Sequence, residues 1–214
     1  MFNLLKRGTG QRRHQSVPSI QRTSSALAEL QKATADNESM TVLQLGPTSP
    51  RNISHFTNLG HGIYGEDIIA AASQPLYIVE TSEGKQFDSE QFLAENLVPN
   101  HRRFDIALCW DTFDYIDPAL APPLAHRIFT LMKPGGYLLA LFHSRRAGDT
   151  STPLPTPHYR YHITGPGALD LQYDIDLPLK NTMPNRKIEE TFRDFANVKF
   201  MLARDNIREV LARR

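Results

Sequence analysis

The chain has 214 residues, the size of one large domain with a buried core of its own, and its 24 basic and 23 acidic side chains leave a formal charge of +1. That balance gives no general attraction to nucleic acid or acidic partners. The single cysteine, Cys109, excludes an intramolecular disulfide and a multi-cysteine zinc site. It sits in an apolar run, reads as a small buried hydrophobe, and fits a reducing, cytoplasmic setting. No apolar run approaches the ~18–20 residues that span a bilayer, and residues 1–5 are too short for a secretory signal.

Residues 1–23 stand apart as a basic tail, with Lys6, Arg7, Arg12, Arg13 and Arg22 and no acidic residue. A flexible, solvated segment is the plain reading; contact with RNA or an anionic surface, or a targeting role, are the sharper ones. The rest, 24–214, reads as a single domain. Residues 24–35 form a short helix with Ser24 or Ser25 as N-cap. Thr41 to Leu45 is a strand ending at Gly46-Pro47. Residues 51–59 suit a helix with Ile53, Phe56 and Leu59 near one face, closed by Gly60. Gly62 to Gly65 leads into a second short strand tipped by Glu66 and Asp67.

Residues 68–72 look helical, 76–80 a strand or a frayed continuation, and 91–97 the third strand of a sheet. The continuous apolar run 105–110 is a strand covered on both faces. Residues 122–132 form a helix through Leu124, Ile128 and Leu131, stopped by Lys133-Pro-Gly-Gly136 before a strand at 137–142. A Ser/Thr/Pro-rich loop, 145–157, precedes two segments, 159–163 and 169–175, that suit a hairpin around Gly165-Pro-Gly167. Helix 187–195, strand 197–203 and a closing helix 205–213 with Ile207, Val210 and Leu211 inward complete the chain. Alternating strands and helices call for a mainly parallel sheet with helices on both faces.

Three segments, in order, resemble the class I S-adenosylmethionine-dependent methyltransferases. They are Val42-Leu-Gln-Leu-Gly-Pro-Thr-Ser-Pro-Arg51, Ile63-Tyr-Gly-Glu-Asp-Ile68, and Phe104-Asp-Ile-Ala-Leu-Cys-Trp-Asp111 followed by Leu131-Met-Lys-Pro-Gly-Gly-Tyr-Leu-Leu139. The resemblance is close over residues 25–145 and looser beyond. It implies a Rossmann-like, doubly wound α/β sheet, mainly parallel with an antiparallel C-terminal strand, and S-adenosylmethionine as cofactor. The cofactor loop would be Gly46, Pro47, Thr48 and Ser49. Asp67, or its neighbour Glu66, would take the ribose hydroxyls, since strand alternation aims only one of them at the ligand. Asn96 and Leu97 would flank the adenine, and Asp111, with Trp110 and Phe113, would face the methyl donor and acceptor.

Two features depart from that family. Thr48 and Pro50 stand where its loop carries further glycines, and Gln44 where it has an acid. A non-catalytic binding or regulatory module that has lost the cofactor is therefore the alternative reading. Methyl transfer needs a base only for acceptors that must lose a proton early, for which Asp111, Asp114 and His143 lie on the correct edge. His158 and His162 are four apart in an extended segment, so no metal site is expected. A Walker loop, a Gly-x-Ser-x-Gly elbow and a dinucleotide Gly-x-Gly-x-x-Gly are all absent. The methyl acceptor, small or macromolecular, and the oligomeric state stay open, with nucleic acid reachable only through the basic tail.

Overall fold

The computed structural model describes residues 19–98, 101–144, 155–202 and 206–214. Lys6, Arg7, Arg12 and Arg13 of the tail and most of the 145–157 loop lie outside them. In chain order the elements are β1 (Ser19–Thr23), α1 (Ser25–Ala33), β2 (Thr41–Leu45), α2 (Pro50–Asn58), β3 (Gly62–Glu66) and α3 (Ile68–Ala72). A 3-10 turn, Pro75–Tyr77, leads to β4 (Ile78–Thr81) and β5 (Gly84–Phe87), then α4 (Ser89–Glu95), β6 (Phe104–Trp110), α5 (Thr112–Tyr115), α6 (Ala121–Leu131) and β7 (Met132–His143). The chain closes with β8 (Pro155–Gly165), β9 (Ala168–Pro178), α7 (Asn185–Thr191), β10 (Asn197–Leu202) and β11 (Ile207–Arg213).

The central sheet has six strands in the order β10-β11-β7-β6-β2-β3. β3, β2, β6 and β7 run parallel, and β11 lies antiparallel between β7 and β10. This is the Rossmann-like arrangement, and strand order reverses between β2 and β6. Alternation along the buried strands sorts their side chains onto two faces. Leu43, Ala107, Cys109, Leu138 and Phe142 pack against Ile68, Phe92, Leu124, Ile128 and Phe192 from the helices after β3. Val42, Ile106, Leu108, Trp110, Leu139 and Leu141 pack against α1, α2 and the β8–β9 hairpin through Leu27, Leu30, Phe56, Tyr161, Ile163 and Leu171. The second face is thus covered partly by a separate three-stranded sheet, β1-β9-β8.

Several expectations need correction. Residues 205–213 are not a closing helix: from Ile207 onward they form β11, hydrogen-bonded to strands on both sides. Ile207, Val210 and Leu211 satisfy helical spacing, but a short apolar run is ambiguous, and two open ladders settle it. Residues 91–97 are not a third strand. They fall in α4 and its end, because Asp88 caps the helix by accepting from Gln91 N at 2.8 Å and Phe92 and Leu93 turn inward. Residues 76–80 divide between the 3-10 turn and β4, which pairs with β5, a strand not anticipated. The last helix ends at Thr191, earlier than expected.

On α2 the inward face is carried by Phe56 and by Asn52, which is 0% exposed, while Ile53 and Leu59 are exposed. Ser24 rather than Ser25 caps α1, accepting from Leu27 N at 3.1 Å. Residues 19–23, read as the end of a solvated tail, form β1 against β9. Within it Arg22 is 8% exposed and meets the buried Glu209 at 2.8 Å. A charge that reads as solvated is one half of an interior ion pair.

Candidate functional site at the carboxyl edge of the sheet

In an open α/β sheet a ligand sits beyond the carboxyl ends of the strands where strand order reverses. Here that point is the gap between β2 and β6. Gly46 ends β2 with φ +89, a conformation that suits glycine. The position where its Cβ would lie is 3.6 Å from Thr112 Oγ1. Across the gap, β6 shifts register between Leu108 and Trp110, and Trp110 takes the left-handed φ of 45, unusual for a bulky side chain. That bend carries Asp111 and Thr112 onto the edge.

The hairpin covers this edge. Tyr161 stacks on Trp110 with ring centroids 5.1 Å apart, and its hydroxyl donates to Asp111 Oδ2 at 2.9 Å. Burial, with the Asp111 charge added, pushes the Tyr161 hydroxyl well above its usual range, so it remains a donor. His158 Nε2 lies 3.6 Å from Asp111 Oδ1. The loop itself is tied to the same strand. The Ser49 hydroxyl, which also caps α2, meets His162 Nδ1 at 2.7 Å, and His162 Nε2 meets Gln172 Oε1 at 3.0 Å. Since the amide oxygen accepts, the proton is on Nε2 and Ser49 donates to Nδ1. Burial lowers the His162 pKa, which keeps that neutral tautomer. Asn52 Nδ2 donates to Gln44 Oε1 at 2.7 Å and to Tyr161 O at 2.9 Å, while its Oδ1 accepts from Ile163 N at 2.7 Å. Gln44, the amide in place of an acid, is one partner in this network.

The remaining candidates are distributed as follows. Pro47 is half-buried with its carbonyl accepting from Gln44 Nε2 at 3.2 Å, and Thr48 is exposed. Glu66 is exposed at the tip of β3, and its Oε2 accepts from Leu97 N at 3.0 Å, with Leu97 at φ 52. Asp67 is exposed and caps α3, accepting from Ala70 N at 3.0 Å. The Asn96 amide donates to Tyr77 Oη and to Phe92 O, both at 3.0 Å. So the structure brings Gly46, Thr112 and Asp111 together at the switch point, sets Glu66 and Leu97 at its margin, and gives Asp67 and Asn96 structural partners.

Sequence reasoning missed Thr112 and His158 as residues of this edge. The only signal for Thr112 is its place one residue after Asp111, and β8 announces nothing of what it covers. Among the described residues, Thr112 Oγ1, Trp110 Nε1, Asp114 Oδ1 and both ring nitrogens of His158 are buried without a hydrogen-bond partner. Each such atom costs about 1–3 kcal/mol unless something completes it. Beside them, Asp114 Oδ2 accepts from His143 N at 2.7 Å and meets His143 Nδ1 at 2.8 Å. Burial pushes Asp114 up to about 6 in spite of the His143 bonds. Burial pulls His143 the other way, but the hydrogen bond and charge of Asp114 outweigh it and raise its pKa.

Comparison with known proteins identifies the family. Residues 18–165 match the model of a family described as a methyltransferase domain. No curated protein matches the chain. Among solved structures, an O-methyltransferase family protein from Burkholderia thailandensis is similar at 15% identity and TM-score 0.47, over 88% of this chain and 54% of that one. TehB from Haemophilus influenzae is similar at 14% identity and TM-score 0.44, over 87% and 61%. The 1,6-didemethyltoxoflavin-N1-methyltransferase of B. thailandensis, solved with bound 1,6-didemethyltoxoflavin and S-adenosylhomocysteine, is similar at 17% identity and TM-score 0.46, over 88% and 76%. The chain thus spans between half and two thirds of the length of the first two. With the family's model covering well over half of it, the chain belongs to the methyltransferase-domain family.

Proposed function

We propose that this chain binds S-adenosylmethionine along the carboxyl edge of β2, β3 and β6 and transfers its methyl group to an acceptor. The observation that carries this reading is the left-handed, buried Gly46 beside the unpartnered Thr112 Oγ1 at the switch point. The residues present fit the cofactor at this position. Gly46 lets a ligand approach the backbone, Thr112 Oγ1 offers a free polar atom, and Glu66 is an exposed carboxylate for ribose hydroxyls. Leu97, buried beside Glu66, supplies apolar surface. When bound, the cofactor supplies an electrophilic methyl on a sulfonium centre.

The chain's own contribution is placement. Asp111, fixed by the Tyr161 hydroxyl, directs negative charge to the edge where a cation would lie. The β8–β9 hairpin, held down by Ser49, Asn52 and Arg51, the last paired with Asp170, covers the site and excludes water. Positioning of this kind lowers a barrier by up to about 7–11 kcal/mol. The lone buried thiol, Cys109, suits a cytoplasmic setting, and no helix among the described residues is long and apolar enough to cross a membrane.

Calorimetric titration with S-adenosylhomocysteine tests this. Micromolar affinity, about −8 kcal/mol, is expected in the wild type and in Asp67→Asn, with at least a tenfold loss in Glu66→Gln. No heat up to millimolar ligand would overturn the reading. It would favour a non-catalytic module, for which the tethering of Ser49 and Asn52 to β8 is the supporting observation.

A further inference from the structure

Building on the cofactor site just described, we propose that His143 is the general base for transfer to an acidic hydroxyl, a phenol or enol on a small molecule, with Asp114 as its positioning residue. His143 ends β7, the strand next to β6, on the edge that carries Asp111. Two bonds from Asp114 Oδ2, one to the ring and one to the backbone, fix the imidazole. With Nδ1–H committed to the carboxylate, the lone pair is on Nε2, for which there is no partner among the described residues. The Asp114 side chain is 0% exposed and that of His143 is 27% exposed, so the part that reaches solvent is the imidazole's. The groups acting on it are Tyr115 of α5, its ring centroid 6.1 Å away, Asp111, and Arg22 of β1. Arg208 of β11 acts on Asp114.

A base in this position has a purpose only for certain acceptors. A neutral amine attacks through its own lone pair and sheds its proton afterwards. A phenol, with a pKa of about 10, has to lose its proton as it attacks, and an imidazole is within a few units of that. A cleft of about 340 Å³ between Ser144, Met183, Asn185 and Arg208 begins at the residue that follows His143 in the chain. That volume suits a small molecule. In the step, the hydroxyl oxygen bonds to the sulfonium methyl as the carbon–sulfur pair returns to sulfur, leaving a neutral thioether. The hydroxyl proton passes to His143 Nε2. The imidazolium so formed is held by the Asp114 carboxylate and discharges to solvent.

The test uses 4-nitrophenol with the S-adenosylhomocysteine complex, below the phenol's own pKa, read by phenolate absorbance. A rise in the phenolate fraction is expected for wild type, a smaller rise in Asp114→Asn, and none in His143→Gln, whose S-adenosylhomocysteine affinity is unchanged. With radiolabelled S-adenosylmethionine, label is expected on 4-nitrophenol and catechol but not on aniline. In His143→Gln, kcat should fall about 10²–10⁴-fold at unchanged cofactor KM, and the rising limb of the kcat/KM pH profile should disappear. Absence of a phenolate signal, an equal signal in His143→Gln, or transfer to aniline as fast as to the phenols would each overturn the proposal. Loss of the cofactor reading itself is seen separately, as absent S-adenosylhomocysteine binding before any phenol is added.

Discussion

Asn52→Ala removes an amide that stands in for a neighbouring strand. Its Nδ2 and Oδ1 meet the carbonyl of Tyr161 and the N–H of Ile163, two residues apart on the outer edge of β8, as a paired peptide would. Both groups belong to residues 5% exposed or less, and Asn52 is 0% exposed, so water does not readily replace the lost partner. Gln44 Oε1 loses its donor too, but a side chain can turn to find another. Two orphaned backbone groups at about 1–3 kcal/mol each, with a small cavity added, give an expected loss of about 3–5 kcal/mol. Against a total stability of roughly 5–15 kcal/mol that is a large fraction, and it corresponds to a fall in Tm of roughly 10 °C for a chain of this size. Urea unfolding followed by Trp110 fluorescence measures it, because the chain's one tryptophan stacks on Tyr161 of the hairpin. Thr57→Ala, exposed on the same helix, is the control and should stay within about 0.5 kcal/mol. A loss below about 1 kcal/mol for Asn52→Ala would refute the view that this amide holds the hairpin.

Two further predictions follow from buried charge. Asp114 and His143 both hold protons more tightly folded than unfolded, Asp114 at about 6 against 3.8 and His143 above 6.5, so their contribution to stability falls as pH rises from about 4 into the neutral range. Unfolding at a series of pH values should show that decline in the wild type and a flatter profile in Asp114→Asn; parallel profiles would remove the pair as its cause. Arg22→Ala strands the buried Glu209 and should cost about 3–5 kcal/mol in chemical denaturation. A change under 1 kcal/mol, about what an exposed pair contributes, would mean that Arg22 behaves as a tail residue after all.

Much of the fold is legible in local sequence. The apolar run ending at Trp110 and the strand-to-turn step at Gly46 each depend on contacts within a few residues, and each stands where its pattern places it, whereas Lys133-Pro-Gly-Gly136, read as a turn before the strand, lies inside β7. Gly46 at the switch point follows as well, since a glycine between a strand and a helix marks the carboxyl end of that strand. Asp67 shows the limit: its pattern reads as a ligand contact or as a solvated strand end, and the cap it makes on α3 appears only in the structure.

What tertiary structure alone decided depends on partners far apart in the chain. Residues 207–213 became a strand because β7 and β10 present open hydrogen-bonding edges on either side, a demand that no seven-residue window contains. Arg22 became interior through Glu209, and Asn52 through β8, more than a hundred residues away in each case. The same holds at the site. The Asp111–Tyr161 bond and the stack of Trp110 on Tyr161 exist only because the hairpin folds back over the sheet. Periodicity reports which face of an element is apolar, whereas the partner of a buried polar group is fixed by where the chain returns.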